Sequence, residues 1–470
     1  MSASRRTAGP GRDFGTRAGP TVELDFECRR LQAVEGDTVA AALLANGVTV
    51  FGRSSKYHRP RGYRCGRGHC SCCSMRVDGL PGVRTCVTTV RPGMRVAREH
   101  AWPTADHDVL RASELLSPLM PPGFYYRWFR RSPRLWGAFE RGLTHVAGQG
   151  GMPSPEAVAR LGAARCRRPA GVDVLVVGGG VAGMSAALAA GDDGARVLLV
   201  QRSDRLGGRS ADDAQGAAAA AALMARVGRQ RHIEVLTGAE ACGWYEEGTV
   251  AVDAHPDLLL VDPAAVVLAT GAYELGPPFA NCDLPGVMLA AGAQRLLDRF
   301  GVRPGATAVF VTGEDHAYEV ARQMMTAGIA VACVADLRPV HEIDRRLVAE
   351  LINSGVTTLS GVREVRAGGF ERVASVSLRD ARRERRRYRC DVVCVSGGFR
   401  AADELAYQRL SEGRVTLSLP EAVANTPREM TGRRPRGPWL AGLVDGADSL
   451  AAAVLQGEAA GHAAAGATLA

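Results

Sequence analysis

The feature that most restricts the fold of this chain is a group of closely spaced cysteines near its amino terminus. Of the twelve cysteines in the 470 residues, five lie between Cys65 and Cys86. Four of them, Cys65, Cys70, Cys73 and Cys86, follow the spacing C-x4-C-x2-C…C of plant-type [2Fe–2S] loops. Such a loop must wrap its backbone amides round the sulfides, and the glycines inside it permit that tight path. The spacing therefore predicts a [2Fe–2S] cluster held by these four cysteines.

Two alternatives to the cluster stay open at this point, a structural zinc site and a set of free thiols. Zinc sites usually pair two short cysteine knuckles, and the sequence has one, from Cys70 to Cys73. We expect His69 at the surface near the cluster, because a Rieske-type centre needs two histidines on one iron. Cys72 is surplus within the loop, and we expect its side chain to point away from the cluster.

The pattern changes near residue 171, where strands begin to alternate with helices. DVLVV predicts a buried strand, and Gly178, Gly180 and Gly183 follow it at the start of a predicted helix. The first glycine permits a tight turn, the second lets a pyrophosphate approach the backbone, and the third lets helix and strand pack closely. The positive end of the helix then faces the phosphates. This unit is therefore predicted to bind a dinucleotide.

Further positions agree with a flavin dinucleotide, FAD. Gln201 ends the second strand, where an acidic residue usually accepts the ribose hydroxyls, and its amide oxygen can still accept a hydrogen bond. Asp445 precedes the closing helix, either as a cofactor contact or as an ordinary N-cap. The predicted FAD-binding residues are Gly178, Gly180, Val181, Ala182, Gly183, Gln201, Arg202, Gly207, Gly208, Thr270, Gly271 and Asp445. No catalytic residue is predicted.

A second strand–helix–strand pattern begins with AVFVT, and its turn departs from the dinucleotide fingerprint. The turn reads Thr312, Gly313, Glu314, Asp315, His316 and lacks the G-x-G-x-x-G spacing. Glu314 and Asp315 stand where a pyrophosphate approaches, and uncompensated negative charge there is unfavourable. We expect the fold of a nucleotide-binding domain, while binding of NAD to it is disfavoured.

These patterns predict a multi-domain α/β protein. A β-grasp ferredoxin-like [2Fe–2S] domain precedes a Rossmann-type FAD domain with an inserted second dinucleotide-binding-like domain. In the first domain we expect a hairpin from TVELDFECRRLQAV and a short helix capped by Asp37. The predicted boundaries are a flexible tail at 1–20, the [2Fe–2S] domain at 21–100, a linking segment at 101–170, the FAD domain at 171–300 and 386–470, and the inserted domain at 301–385.

Charge and composition argue against other classes of protein. The formal net charge is +9, but aromatic residues make up 5% and the arginines are dispersed, so no nucleic-acid binding is expected. The one dense arginine run, at 382–389, predicts a solvated hairpin tip rather than a docking patch. No apolar run reaches about 18 residues, and no secretory signal begins the chain. We therefore expect no membrane span. The other cysteines are scattered along the chain, as is typical of thiols in a reduced compartment, so we expect a cytoplasmic location.

Several stretches, taken in order, resemble a known group of oxidoreductases: GDTVAAALLANGV, GRSSKYHRPRG, SPLMPPGFYYRWF, DVLVVGGGVAGMSAAL, VVLATGAYE, NCDLPGVMLA and CDVVCVSGGF. They resemble the amino-terminal half of the large (alpha) subunit of heterotetrameric sarcosine oxidase. They resemble equally the fused iron–sulfur and FAD subunits of hydrogen cyanide synthase, opine oxidase and amino-acid dehydrogenase complexes. Sarcosine oxidases typically lack the cluster cysteines, so Cys65, Cys70, Cys73 and Cys86 favour the cluster-bearing branch.

The resemblance implies an FAD-dependent oxidoreductase that acts on CH–NH donors as part of a complex. It implies that a separate flavin-containing amine or amino-acid oxidase subunit oxidises a small molecule of the sarcosine, opine, proline or glycine type, and that this chain relays the electrons. Two alternatives stay open, a self-sufficient NAD(P)H-dependent flavin and iron–sulfur reductase and a non-catalytic electron-transfer module. The loop from Arg53 to Arg61 also matches the family. Three roles stay open for it: contact with a cofactor, docking of a partner, or a solvated basic turn without a function of its own.

Overall fold

The computed structural model describes residues 19–119, 132–146, 152–162, 165–167, 169, 171–213, 216–245, 248–410 and 436–469. Most of the predicted tail at 1–20, and part of the stretch SPLMPPGFYYRWF, lie outside these ranges. The chain divides into two compact units, Met1–Arg160 with Glu274–Gly398, and Leu161–Tyr273 with Phe399–Ala470. The predicted fold class, a multi-domain α/β protein with an inserted dinucleotide-type domain, is confirmed. The predicted domain boundaries stay predictions.

The described strands are, in chain order, β1 (Thr21–Phe26), β2 (Arg29–Val34), β3 (Gly52–Arg53), β4 (Pro60–Arg61), β5 (Ser74–Val77), β6 (Leu80–Arg84), β7 (Arg95–Ala97), β8 (Arg165–Arg167), β9 (Val174–Val177), β10 (Val197–Gln201), β11 (Ile233–Thr237), β12 (Glu240–Trp244), β13 (Val250–Ala254), β14 (Asp257–Val261), β15 (Ala265–Leu268), β16 (Ala272–Glu274), β17 (Val287–Leu289), β18 (Thr307–Thr312), β19 (Ala330–Asp336), β20 (Thr357–Leu359), β21 (Glu364–Gly369), β22 (Val373–Arg379), β23 (Arg385–Arg389), β24 (Val392–Ser396), β25 (Phe399–Ala401) and β26 (Arg436–Leu440).

The described α-helices are α1 (Val39–Ala45), α2 (Pro133–Val146), α3 (Pro155–Leu161), α4 (Val181–Asp192), α5 (Ala217–Val227), α6 (Ala290–Phe300), α7 (His316–Thr326), α8 (Arg345–Asn353), α9 (Glu404–Leu410) and α10 (Leu450–Leu469). The 3-10 helices are Val109–Leu119, Ser210–Asp212, Val340–Glu342 and Gly442–Asp445. Among the residues described, no helix combines the length and the apolar character needed to cross a lipid bilayer.

The first unit opens with a mixed sheet in the order β2-β1-β7-β5-β6. Strand β1 is antiparallel to β2 and parallel to β7. Helix α1 is buried along its whole length because all of its residues are apolar. The N-cap of the helix is Thr38, whose hydroxyl oxygen accepts from the Ala41 N–H, so the prediction of Asp37 as the N-cap is wrong by one residue. The Asp37 carboxylate accepts instead from the Val34 N–H.

The same unit contains a parallel sheet in the order β17-β24-β18-β19-β20. Every residue of β24 is buried, and its sequence VVCVS is the near-continuous apolar run of a parallel strand covered on both faces. The first unit also contains an antiparallel sheet in the order β21-β22-β23. Its β22–β23 hairpin carries the arginine run at 382–389. The arginines are exposed as predicted, but only Arg382 and Arg383 lie at the hairpin tip, because β23 begins at Arg385.

The second unit is built on a parallel sheet in the order β11-β10-β9-β15-β26. Helices α4 and α10 lie close together because small residues face each other. A Cβ atom on Gly457 would stand 2.2 Å from the Ala182 carbonyl oxygen, and one on Gly461 would stand 2.2 Å from that of Ala186. An antiparallel group β12-β13-β14, joined by β8, completes this unit. The turn from β9 to α4 thus lies at the carboxyl ends of parallel strands, where α/β sheets bind ligands.

Candidate cofactor sites

The four predicted cluster cysteines lie on one loop and beside the strands that flank it. Cys65 and Cys70 follow β4, Cys73 directly precedes β5, and Cys86 follows β6. Cys65, Cys73 and Cys86 are buried and Cys70 is half-buried. The loop turns tightly at Gly68, whose φ of 79° belongs to the left-handed region that favours glycine. The strands therefore hold the ends of the loop while its middle curves round the thiols.

The four sulfurs form a row of side-chain contacts. Cys65 contacts Cys70 on one side and Cys86 on the other, and Cys86 also contacts Cys73. The contacts of Cys65 with Cys70 and of Cys86 with Cys73 suit a two-iron cluster, in which each iron takes two thiolates. In the part of the chain that the structure describes, no three His, Cys, Asp or Glu side chains are grouped as the ligands of a single metal ion.

Backbone N–H groups of the loop donate to these sulfurs. The Gly68 N–H donates to Cys86 Sγ at 3.2 Å, and the His69 N–H donates to Cys65 Sγ at 3.3 Å. Such hydrogen bonds stabilise the charge of a thiolate. The contacts with Cys70 and with Cys86 lower the pKa of Cys65. The residues present therefore fit a [2Fe–2S] cluster, and the four cysteines remain its predicted ligands.

The sequence predicts that the surplus thiol of Cys72 points away from the cluster, whereas in the structure it contacts the thiol of a predicted ligand. Its sulfur contacts that of Cys70, and this contact lowers the pKa of Cys72 to about 7, with Arg64 and Arg61 contributing. The thiol of Cys73 is the one that contacts Cys86. The geometry thus agrees with the predicted assignment of the third ligand to Cys73.

Helix α6 begins against the backbone next to Cys65. The Tyr63 hydroxyl donates to the Gly292 carbonyl oxygen at 3.0 Å, and the Leu289 N–H donates to the Arg64 carbonyl oxygen at 3.0 Å. A Cβ atom on Gly292 would stand 2.6 Å from that Arg64 oxygen, so this approach requires glycine. Sequence reasoning missed Gly292, whose only local signal is a glycine in the first turn of a helix.

The basic loop from Arg53 to Arg61 is largely folded inward. The Arg53 side chain is buried, donates to the Ala105 carbonyl oxygen at 3.0 Å, and pairs with Glu371 at 2.9 Å. His58 Nδ1 lies 2.8 Å from Asp108 Oδ2, with both side chains fully buried. The alternative of a solvated basic turn is therefore wrong for Arg53 and His58.

The end of the same loop forms ion pairs with a distant segment. Arg59 places Nε and Nη2 each 2.7 Å from the two oxygens of Asp283, a bidentate pair. Arg61 Nη1 lies 2.6 Å from the same carboxylate. Sequence reasoning did not identify Asp283, because it lies 224 positions from Arg59 along the chain. A cofactor contact or a docking role for this loop stays a prediction.

The glycine turn of the second unit has the close packing expected of a dinucleotide-binding turn. Gly178 has a φ of 105°, and a Cβ atom there would stand 2.2 Å from the Ala269 carbonyl oxygen. A Cβ atom on Gly183 would stand 1.8 Å from the Gly178 carbonyl oxygen. A Cβ atom on Gly180 would meet no described atom within 4 Å, and Gly180 is the N-cap of α4 without a side-chain cap. The amino terminus of α4 is therefore open to an anion.

The predicted residues at the end of β10 lie beside this turn. Gln201 Oε1 accepts from the Gly179 N–H at 2.8 Å, and Gln201 Nε2 donates to the Ser203 hydroxyl. Arg202 instead pairs with Glu240 at 3.3 Å, with much of its side chain exposed. Gln201 therefore holds the glycine turn through a hydrogen bond, whereas Arg202 forms an ion pair at the surface.

The second glycine turn packs directly on the first. The Gly207 N–H donates to the Gly179 carbonyl oxygen at 2.8 Å, and Gly207 forms an isolated parallel bridge with Gly180. A Cβ atom on Gly208 would stand 2.9 Å from the Gly180 Cα atom. The structure thus brings Gly207 and Gly208 together with Gly178, Gly180, Gly183 and Gln201.

Of the remaining predicted residues, Val181 and Ala182 belong to the first turn of α4. The Thr270 hydroxyl donates to the Ala402 carbonyl oxygen at 2.6 Å, and the Gly271 carbonyl oxygen accepts from the Ala402 N–H. Asp445 ends the 3-10 helix that starts at Gly442, where a Cβ atom would stand 2.8 Å from the Ala182 Cβ atom. Burial raises the pKa of Asp445 to about 6.

Two family models match the chain. Residues 19–101 match a 2Fe-2S iron-sulfur cluster binding domain, and residues 172–417 match the pyridine nucleotide-disulphide oxidoreductase family. Together with the two sites, these matches define an oxidoreductase that joins an iron–sulfur domain to a flavin-type Rossmann domain. The chain belongs to the pyridine nucleotide-disulphide oxidoreductase family.

Within that class, the chain is similar to sarcosine oxidase subunit alpha of Rhizobium meliloti (strain 1021), with 31% identity over 88% of this chain and 43% of the relative. It is also similar to hydrogen cyanide synthase subunit HcnA of Pseudomonas aeruginosa, with 39% identity over 18% of this chain and 78% of the relative. The resemblance inferred from the sequence is thereby confirmed. The chain spans less than half the length of the sarcosine oxidase subunit.

A solved structure shares the fold. L-proline dehydrogenase from P. horikoshii superimposes with a TM-score of 0.62 at 20% identity, covering 96% of this chain and 74% of that one. At this identity the similarity concerns the fold alone. The matched part includes residues of both units of the chain.

Proposed function

We propose that this chain is the FAD- and [2Fe–2S]-containing subunit of an amine or amino-acid oxidase or dehydrogenase complex, and that it relays electrons within that complex. The observation that carries the proposal is the presence in one chain of four neighbouring thiols, two of which accept from backbone N–H groups, and of an uncapped glycine turn on a parallel sheet. When bound, FAD accepts an electron pair and a [2Fe–2S] cluster passes single electrons.

In this proposal Cys65, Cys70, Cys73 and Cys86 hold the irons. The N–H groups of Gly68 and His69, already directed at the sulfurs, stabilise the negative charge that the site carries. The rigid neighbours of the loop, strand β5 on one side and helix α6 on the other, keep these donors in place.

The FAD pyrophosphate is proposed to lie against the amino terminus of α4. The close approaches at Gly178 and Gly183 hold the turn, and Gly180 leaves the space that a phosphate needs. Gln201 fixes the turn through the Gly179 N–H. With an amide in place of a carboxylate, the hydrogen bond to a ribose hydroxyl lacks the charge-assisted strength of an acidic residue.

The substrate class and the partner in this proposal come from the relatives. One is a subunit of sarcosine oxidase and another a subunit of hydrogen cyanide synthase. We assign the oxidation of the CH–NH bond to a separate flavin-containing subunit, as the resemblance to subunits of such complexes implies. This chain then receives the electrons and passes them on.

The test is to purify the full chain, tagged, from its native host together with the proteins bound to it. We expect a second flavoprotein in the complex, and loss of visible flavin and iron–sulfur absorption when sarcosine, proline or glycine is added anaerobically. The isolated, cofactor-loaded chain should not respond to the same amines. Reduction of the isolated chain by NADH or NADPH contradicts the proposal and supports a self-sufficient reductase. A complex that no amine reduces contradicts it as well.

A further inference from the structure

The two Rossmann-type sheets present a strand, a turn and a helix with the same spacing. In one, β9 ends at Val177 and α4 begins at Val181; in the other, β18 ends at Thr312 and α7 begins at His316. The positions can therefore be matched one by one. Gly178, Gly179, Gly180, Gly183 and Gln201 of the first correspond to Gly313, Glu314, Asp315, Tyr318 and Asp336 of the second. The second turn thus has side chains at three positions where the first has glycine.

The carboxylate of Glu314 lies at the amino terminus of α7. Its Oε2 accepts from the His316 N–H, the first residue of the helix, at 3.3 Å, and its Oε1 accepts from the Ser396 hydroxyl. The backbone of Glu314 is fixed as well, because its N–H donates to the Thr312 hydroxyl oxygen at 3.0 Å. A negatively charged group therefore already occupies the end of the helix that binds a pyrophosphate in this fold.

The residue that would bind a ribose is also engaged within the protein. Asp336 ends β19, is fully buried, and accepts from the Tyr318 hydroxyl at 3.0 Å. Arg338 Nη2 lies 2.9 Å from Asp336 and 2.7 Å from Asp315. Three carboxylates thus surround the turn, and the guanidinium of Arg338 is shared between two of them.

A pyrophosphate brings further negative charge, so both space and charge oppose its binding at this turn. We propose that the second dinucleotide-type domain of this chain is closed to NAD(P), with the Glu314 carboxylate standing in for the pyrophosphate at the amino terminus of α7. Asp315 fills the position where the backbone would have to approach the phosphates, and Asp336 is held by Tyr318 and Arg338. The proposal does not depend on the proposed function.

The residues therefore do not fit the pyridine nucleotide that the family's name implies. The redox disulphide in the family's name has no counterpart either, because the sequence contains no C-x-x-C dithiol outside the cysteine loop. The domain keeps the fold of a nucleotide-binding domain, while its own side chains occupy the place where the nucleotide would bind. This domain then delivers no electrons from NADH or NADPH.

The test is calorimetric titration of the cofactor-loaded full chain with NADH, NADPH and ADP. Three variants are compared with the wild type. E314Q keeps the shape of the side chain and removes its charge, E314G/D315G restores the three-glycine turn seen at 178–180, and E350A removes an exposed carboxylate of α8 as a matched control. Retained flavin absorption and an unchanged melting temperature establish that each variant is folded.

We expect no saturable binding of any of the three nucleotides to the wild type and to E350A. E314G/D315G should bind ADP and NADH at least about tenfold more tightly than the wild type, and E314Q should show a smaller gain. Saturable binding of NADH or NADPH to the wild type at this domain overturns the proposal. So does a lack of any gain in both E314Q and E314G/D315G, because the carboxylates are then not what excludes the nucleotide.

Discussion

The side-chain oxygen of Gln201 accepts a hydrogen bond from the Gly179 N–H at 2.8 Å, so the last residue of β10 holds the middle of the glycine turn. We expect Q201A to weaken FAD retention, because the turn loses a hydrogen bond of about 1 kcal/mol, or roughly fivefold in the dissociation constant. Flavin fluorescence released during dilution measures this constant. Q230A is the control, because the Gln230 side chain bonds at the surface to Asp192 and to the His232 N–H rather than to the glycine turn.

Gly292 is expected to be essential for the geometry of the cysteine loop. In G292A the new Cβ atom would stand 2.6 Å from the Arg64 carbonyl oxygen and 3.1 Å from the Cys65 carbonyl carbon, so the backbone beside the first ligand must shift. The expected result is loss of iron and labile sulfide with retention of FAD. G142A is the control, because Gly142 is a helical glycine whose Cβ position is open. Full cluster content in G292A would show that the approach of α6 does not fix the loop.

The buried pair of His58 and Asp108 should stabilise the first unit. H58A removes one partner of a fully buried carboxylate, whose other oxygen accepts from the Trp102 and Leu110 N–H groups. We expect the free energy of unfolding to fall by about 2–3 kcal/mol. Denaturant unfolding, followed by a probe in the first unit, measures the change. H107A, at an exposed histidine of the same segment, should leave the midpoint unchanged. Equal midpoints for the two variants would contradict a stabilising role.

Asp445 should make stability depend on pH. Burial raises its pKa to about 6 in the folded protein, whereas the unfolded value is near 3.8. The folded state therefore holds the proton more tightly, and the stability associated with this group is fully present below the unfolded pKa and lost as the pH rises through the folded pKa. D445N should thus gain melting temperature over the wild type at about pH 7 and little at about pH 4. A difference that does not change with pH contradicts this account.

Much of the architecture follows from local patterns in the sequence. The spacing of Cys65, Cys70, Cys73 and Cys86 is a local signal, and the loop places these thiols in one row. The glycines at 178, 180 and 183 follow the strand DVLVV, and the turn has the close contacts that this spacing predicts. The helix N-cap was misplaced by one residue, because Asp37 and Thr38 are both good capping residues and only the backbone geometry distinguishes them.

The features that the sequence could not supply depend on distant segments. The pair of Arg59 and Asp283 joins residues 224 positions apart, and Gly292 meets Arg64 across a similar separation. Neither has a local pattern that marks it. The basic loop shows the same limit, since its arginines and His58 indicate charge but not the buried acidic partners that neutralise it.

The central claim, a two-iron cluster on four named cysteines, is tested most directly by iron and labile-sulfide analysis combined with paramagnetic resonance of the dithionite-reduced chain. The wild type and C72S should each contain about two irons and two sulfides per chain and give the same rhombic signal, whereas C73S should lose both. A wild-type protein that contains stoichiometric zinc and gives no signal, or a C72S variant that loses the cluster while C73S keeps it, would contradict the assignment.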